Sequence, residues 1–357
     1  MMRQLDEKFW KGKKVLVTGN TGFKGSWLTV LLDGMGAQVY GYSLPAPTDP
    51  SMYVSCGLDR LARTEVADVR DRAALLSCFA RVKPDIVFHM AAQPLVLESY
   101  RIPAETYETN VMGTVNVLEA VREVRSARAV VIVTSDKCYE NKEWAWGYRE
   151  NEPLGGFDPY SSSKACAEIA AAAWRNSFFP SDQHKIHNTG IATARAGNVI
   201  GGGDWAANRL VPDCVRALMV NENVKVRNPS ALRPWQHVLD PLCGYMLLAK
   251  KLWENGHDFS EAWNFGPDAI DIRPAGWVVK EMCARWGNAD FVIAPGKTGH
   301  EAGILMLDST KARLRLEWKP RWRLEQAIEK IIEWSRAYGK GHAMLDVTRR
   351  QIEDYLR

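Results

Sequence analysis

The chain has 357 residues, of which 46% are hydrophobic and 25% charged, with a formal net charge of +4. This is an ordinary globular composition and excludes a disordered or fibrous chain. The mild basic excess without any Lys/Arg block gives no nucleic-acid footprint, and no apolar stretch is long enough to span a bilayer. Small molecules, anionic ones among them, are therefore the expected partners, with no nucleic acid and no membrane. MMRQLDEKFWKGKKVLVTG has no apolar h-region ahead of the first strand, so no signal peptide is expected. The seven cysteines (56, 78, 138, 166, 214, 243 and 283) form no CxxC pair and read as reduced, mostly buried thiols of a cytoplasmic chain. His184 and His187 lie in the loop-like SDQHKIHNTG without a third ligand at suitable spacing, so no metal is expected.

Along the chain, short apolar runs alternate with helical patterns. Strands are predicted at 13–18, 37–42, 62–67, 85–90, 129–134 and 190–195. Amphipathic helices are predicted at 24–35, 70–82, 104–124 and 160–179, and SLPAPTDPSMYVSCGLD (43–59) reads as a loop. Beyond Arg195 the rhythm changes to a Gly-rich loop, GNVIGGGDW, a helix at 209–220, a short strand in NVKVRNP and a long helix at 240–255. Further helices are expected at 274–286, 324–339 and 346–356. The pattern predicts an α/β fold: a Rossmann-type doubly wound parallel sheet with a smaller, mixed C-terminal lobe. Residues 1–195, with a helix returning near 240–256, are expected to bind a dinucleotide, and residues 196–357 mainly the substrate.

Between the first strand and first helix lies Thr18-Gly19-Asn20-Thr21-Gly22-Phe23-Lys24-Gly25. Glycines there let the backbone turn tightly and approach a pyrophosphate, whose charge the helix N-terminus stabilises. A Gly triplet alone is a weak signal; followed by five more β/α units it becomes strong. An acid at the end of strand two would hold an adenosine ribose diol, and an Arg would suit a 2′-phosphate. Tyr42-Ser43 supplies neither, so NAD is expected over NADP without a residue that decides it. Asp68 and Val69 are placed to meet the adenine, unless Asp68 is merely the N-cap of the next helix. Ala91, Ala92 and Gln93 end strand four, with small residues where a cofactor passes close by, and Asn110 and Thr134 complete the expected cofactor set.

Tyr160-Ser161-Ser162-Ser163-Lys164 places a phenol and an amine four apart on one helix face. That pair suits proton removal from an alcohol during hydride transfer. A free phenol has a pKa near 10, and lowering it by ~3 units takes about 4 kcal/mol. One ammonium ~4 Å away at an effective dielectric of ~20 supplies roughly that. At the tip of the predicted strand five stand Thr134-Ser135-Asp136-Lys137, an acid and an amine in tandem facing the crevice.

TGNTGFKG, YSSSK, HMAAQ and TNVMGTVNVLEA together resemble the extended short-chain dehydrogenase/reductases acting on nucleotide sugars, over essentially the whole chain. FWKGKKVLVTGNTGFKGSWL, TSDKCYENKEWAWGYRE and LRPWQHVLDP are similar to the branch that dehydrates a cytidine-diphosphate sugar. The resemblance implies conversion of CDP-D-glucose to CDP-4-dehydro-6-deoxy-D-glucose for deoxysugar and O-antigen precursors, with NAD returned unchanged. It implies that Tyr160, aided by Lys164, takes the O4 proton while Ser135 holds O4. Ser135 and Asp136 match the Thr-Asp of dTDP-glucose 4,6-dehydratases, where Asp is the acid for the leaving hydroxyl. Position 137 departs from them: Lys137 stands where they carry Glu. Lys137 is then a neutral base at C5, or a cation stabilising the enolate, or a plain counter-ion to Asp136; the sequence does not separate these.

Asn198, Arg209, Leu210 and Arg233 are expected along the substrate's phosphates, with Trp235 and His237 lining the nucleotide pocket. The bland readings put Trp235 in the core and His237 against the sheet. The resemblance also implies an intersubunit four-helix bundle from Tyr107–Val124 and Tyr160–Asn176, hence a homodimer or homotetramer. Three alternatives stay open: a nucleotide-sugar 4-epimerase, which eliminates nothing and needs no Asp136-Lys137; a dehydratase for another nucleotide; and an NAD-binding sensor, which the presence of Ser135, Tyr160 and Lys164 opposes.

Overall fold

The computed structural model describes residues 5–287, 289–294 and 303–357. Seven strands form the central sheet: β1 (Lys14–Thr18), β2 (Gln38–Ser43), β3 (Ala62–Val66), β4 (Ile86–His89), β5 (Ala129–Val133), β6 (Gly190–Ala196) and β7 (Ala262–Phe265). Their order is β7-β6-β5-β4-β1-β2-β3, and every neighbouring pair is parallel. The order reverses between β1 and β4, which is where a doubly wound sheet opens a crevice at its carboxyl edge.

The central strands are apolar on both sides because helices cover both faces. Val15 and Val17 of β1, Ile86 and Phe88 of β4 and Val131 and Val133 of β5 point into the larger core, with Trp10, Trp27, Leu242 and Trp263. Their alternates Leu16, Val87, Val130 and Ile132 point into the second core, with Tyr42, Phe79, Val117 and Leu118. The period of two sorts a continuous apolar run onto two layers.

α1 (Phe23–Gly34) follows the Gly-rich turn, and α2 (Arg72–Val82) and α3 (Gly113–Val124) cover the second face. α4 (Pro159–Phe178) begins with Pro at its first position and Asp158 accepting from the Ser161 amide at 2.9 Å. The chain continues through α5 (Leu210–Met219), α6 (Leu239–Phe259), α7 (Ala275–Trp286), α8 (Leu324–Gly339) and α9 (Met344–Leu356).

Several elements differ from the sequence expectation. The 43–59 loop carries a helical turn at Met52–Ser55, capped by Ser51 Oγ accepting from the Val54 amide at 3.2 Å. The helix expected over 104–124 is preceded by a short helix, Val96–Arg101, and wound as a π-segment over Glu108–Met112. Asp71, not Asp68, caps α2, accepting from the Ala74 amide at 3.0 Å. Asp68 instead accepts from the Arg70 amide at 2.9 Å in a local turn. β7 was not expected at all, and Val224–Val226 gains a parallel partner, Phe291–Ile293. His184 and His187 pack ring against ring at 5.4 Å, and no metal-competent cluster occurs among the described residues. No described helix is long and apolar enough to cross a membrane.

Candidate active site

A cleft of about 1130 Å³ follows the carboxyl ends of β1, β2, β4, β5 and β6. That exceeds the roughly 300–1,000 Å³ of a pocket for one small ligand and leaves room for two side by side.

At one end lies the turn Gly19–Gly25. Gly19 adopts φ +75°, and a Cβ there would lie 2.7 Å from the Ala91 amide nitrogen. A Cβ on Gly25 would lie 2.2 Å from the Gly19 carbonyl oxygen, so the helix can close on the strand only without a side chain. Thr21, Gly22, Phe23 and Lys24 line the cleft beside them. Thr21 and Ser43 share a hydroxyl–hydroxyl bond of 2.6 Å, and Thr21 also donates to the Leu44 carbonyl at 2.9 Å. Ser43, Asp68, Val69, Ala91, Ala92 and Thr134 all reach the cleft wall. The Arg70 guanidinium bonded to Asp68 holds that carboxyl below its ordinary range.

Gln93 and Asn110 are placed elsewhere. Asn110 accepts from the Gln93 amide at 2.8 Å and donates to Ser163 Oγ at 2.8 Å, bridging the β4 exit to α4 behind the wall. Neither residue lines the cleft. Another group under this wall was given no role from the sequence: His89 bonds Thr18 Oγ1 at 2.7 Å and Thr114 Oγ1 at 3.1 Å. Burial, aided by Lys164, pushes this imidazole down to about 3, so it is neutral at pH 7.

In the middle, β5 ends in extended Ser135 and a 3₁₀ turn, Asp136–Cys138. Ser135 Oγ accepts from the Lys137 amide at 3.2 Å and donates to Asp136 Oδ1 at 3.0 Å. Lys137 Nζ reaches the same oxygen at 3.4 Å. Asp136 is 1% exposed, and its Oδ2 has no protein partner among the described residues. Tyr160 and Lys164 line the cleft from α4, and the Lys164 ammonium donates to the Val133 carbonyl at 3.2 Å.

The electrostatics differ from the sequence estimate at Tyr160. Burial raises this phenol above its ordinary value, and the opposing pull of Lys137, the Ser135 hydrogen bond and Arg209 does not overcome it. Counting one ammonium had left out the desolvation of a buried phenolate. Lys164 is pushed down to about 8, chiefly by burial. Lys24, whose Nζ donates to Tyr245 OH at 3.3 Å, falls to about 7 through burial and the like charges of Lys164 and Arg209.

At the far end, Asn198, Arg209, Leu210, Arg233 and Trp235 line the cleft. Asn198 Oδ1 is buried with no protein partner among the described residues. Arg209 is aimed by Asp204, whose Oδ2 accepts from it at 3.2 Å. Arg233 Nη1 donates to the Leu232 carbonyl at 2.8 Å, and Trp235 Nε1 to the Arg273 carbonyl at 2.9 Å. Lys225, in the strand Val224–Val226, and Arg227 and Asn228, which follow it, join this end without having been given a role in sequence.

His237 is a correction. It is fully buried outside the cleft, 5.7 Å from the Trp27 ring and 4.6 Å from the Trp322 ring. Its neighbour Gln236 is buried as well, donating to the Phe265 carbonyl at 2.8 Å, so the chain has turned away from the cleft directly after Trp235.

The sequence matches the family model for GDP-mannose 4,6 dehydratase over residues 16–331. It is 52% identical over 353 residues to the CDP-glucose 4,6-dehydratase of Salmonella typhimurium, covering 99% of this chain and 98% of that one. Among solved structures, the UDP-glucose 4-epimerase of Thermotoga maritima with UDP-glucose superposes with a TM-score of 0.78 at 22% identity, covering 91% of this chain and 99% of that one. The dTDP-glucose 4,6-dehydratase of Bacillus anthracis in complex with NAD gives 0.76 at 20% identity, over 94% and 100% of the two chains. Those two likenesses are ones of fold. The end-to-end sequence match is of another order, and by it the chain belongs to the GDP-mannose 4,6 dehydratase family of extended short-chain dehydrogenase/reductases.

Proposed function

We propose that this protein converts CDP-D-glucose to CDP-4-dehydro-6-deoxy-D-glucose with NAD as a recycled cofactor. The observation that carries the reading is the Ser135–Asp136–Lys137 cluster beside Tyr160, in a chain 52% identical to a CDP-glucose 4,6-dehydratase. NAD, when bound, takes the C4 hydride and returns it to C6. Gly19, Gly22 and Gly25 leave the backbone bare where its pyrophosphate would lie, and Thr21, Ser43, Asp68, Val69, Ala91 and Ala92 would line its adenosine half.

The chain's own residues move the protons, and the count closes. Tyr160 takes the O4 proton in its phenolate form, which Lys137, Ser135 and Arg209 favour against the burial that raises its pKa. For this chemistry Lys137 and Asp136, 3.4 Å apart, would have to hold one proton between them. With that proton on Asp136, Lys137 is the base that accepts the C5 proton, and Asp136 is the acid that releases O6 as water. Elimination leaves an ammonium and a carboxylate, and the ammonium stabilises the enolate as it forms. Lys137 then returns its proton to C5. The proton left on Tyr160 passes through Ser135, which donates to Asp136, and restores Asp136. The water lost thus carries a proton equivalent to the one taken from O4.

Asn198, Arg209 and Arg233 would bind the substrate's pyrophosphate, with Leu210 and Trp235 beside the nucleotide. In this reading residues 1–195, with the returning helix near 240–256, hold the cofactor and residues 196–357 mainly the nucleotide sugar. The protein assembles as a homodimer or homotetramer through the helices containing Tyr107–Val124 and Tyr160–Asn176, where Tyr107, Met112 and Ile169 are large exposed side chains. Seven unpaired cysteines suit a reducing cytoplasm, and the product suits deoxysugar precursors of lipopolysaccharide.

Product analysis with NAD and CDP-, UDP-, GDP- and dTDP-glucose tests the assignment. A 4-keto product that absorbs in strong alkali, formed from CDP-glucose in preference to the others, is expected. An epimerised sugar, or preference for another nucleotide, overturns it.

A further inference from the structure

Behind the cleft floor lies a buried ion pair that the mechanism above does not use. Glu168, one turn beyond Lys164 on α4, is 2% exposed, and Arg195 of β6 is 3% exposed. Glu168 Oε1 accepts the Thr134 hydroxyl, and Oε2 accepts Thr193 Oγ1 at 2.6 Å and Arg195 Nη2 at 2.8 Å. Arg195 Nη1 continues to Tyr139 OH at 2.7 Å, which donates to Asn264 Oδ1 at 2.8 Å. A buried ion pair seldom stabilises a fold better than apolar packing of the same volume. Its position offers another use. Thr134 immediately precedes Ser135, and Lys164 shares the helix face of Glu168.

We propose that Glu168 is a positioning residue of the active site: its carboxylate anchors Thr134 under Ser135 and keeps the neighbouring Lys164 in its charged, cleft-facing form. The inference rests on reading Lys164 as part of the reacting set. Lys164 is also faced by Cys138 from the turn after β5, His89 from β4 and Lys24 from α1. Burial pushes the Cys138 thiol well up and His89 down to about 3, so both are uncharged at pH 7, while Lys24 repels the ammonium. Burial lowers Lys164 to about 8, and the Glu168 charge opposes the fall. Burial works to raise Glu168 itself, but Arg195, Thr134 and Thr193 bring it below its ordinary value, and Arg175 adds a cation on the same helix.

The test is the pH profile of kcat/KM with NAD and CDP-glucose. In Glu168→Gln the alkaline limb, where Lys164 loses its proton, moves down by about one pH unit. Activity then falls about fivefold at pH 8 and changes little at pH 6.5. Glu168→Asp, which keeps the charge, restores the limb. Loss by one factor at every pH, with the limb in place, overturns the proposal and leaves Glu168 a structural partner of Arg195. Because Glu168→Gln strands a buried guanidinium, circular dichroism checks its fold, and Glu168→Gln/Arg195→Met carries the same comparison without an unpaired charge. Full activity in Lys164→Met would instead defeat the reading of the site itself.

Discussion

The Lys137 ammonium and the Ser135 hydroxyl converge on one oxygen of Asp136, at 3.4 and 3.0 Å, and leave the other carboxylate oxygen without a protein partner among the described residues. An unpaired oxygen on a buried carboxylate is costly unless a ligand meets it. The geometry therefore gives the acid one occupied side and one side for a substrate hydroxyl.

Separation of the reaction's steps should show in Lys137→Met. C4 oxidation remains, so absorbance of reduced cofactor at 340 nm rises in a single turnover and persists. The alkali-absorbing 4-keto-6-deoxy product falls by about 10²–10⁴-fold, the usual size of a lost general base. Equal loss of both signals would show that Lys137 has no special part in elimination.

Tyr160→Phe removes one hydroxyl from a side chain that is 8% exposed and leaves the ring packed. The fold should hold, with kcat lowered about 10²–10⁴-fold and no cofactor reduction in the burst. Retained burst reduction would place the base elsewhere.

Two glycines of the cofactor turn should part company. Gly25→Ala puts a methyl group 2.2 Å from the Gly19 carbonyl oxygen and should lower stability by about 1–3 kcal/mol, read as a lower Tm. At Gly22 the nearest atom to a Cβ is 3.4 Å away, so Gly22→Ala should leave Tm nearly unchanged while weakening NAD in a fluorescence titration. Unchanged NAD affinity would mean that the pyrophosphate does not pass over Gly22.

Asp240 gives a pH-dependent stability of known sign. It is fully buried, accepts from Tyr355 OH at 2.6 Å and the Arg321 amide at 2.8 Å, and burial raises it to about 7. In the unfolded chain an aspartate ionises near pH 4. Between those values the folded state holds the extra proton, so this contribution to stability falls as pH rises from about 4 to 7 and is constant above. Relative to Asp240→Asn, the wild-type urea midpoint should drop across that window, by on the order of 4 kcal/mol in stability. Parallel curves for the two proteins would count against it.

The sheet was largely legible because β1, β4, β5 and β6 are buried on both sides and read as short runs between helical patterns. β7 was not: AWNF is four residues directly after a long helix, too short for any period to show. The tips of β1 and β5 announced the cofactor turn and the Ser135–Lys137 cluster because special residue types stand together in sequence. His237 and Glu168 were not legible for opposite reasons. His237 was assigned to the pocket from its place in LRPWQHVLDP, but it packs between Trp27 and Trp322 in the core. Glu168 sits in an alanine-rich helix and acquires its meaning only from Arg195, 27 residues away.

The late arrival of β7 bears on how the chain is made. β6 is buried along its whole length, and β7 covers its outer edge from 262–265. A chain released at residue 195 would leave the backbone edge of β6 unpaired, a template for pairing with its own copies. The first 195 residues are therefore no portable module, and on the ribosome their sheet stays unfinished until Phe265 has emerged.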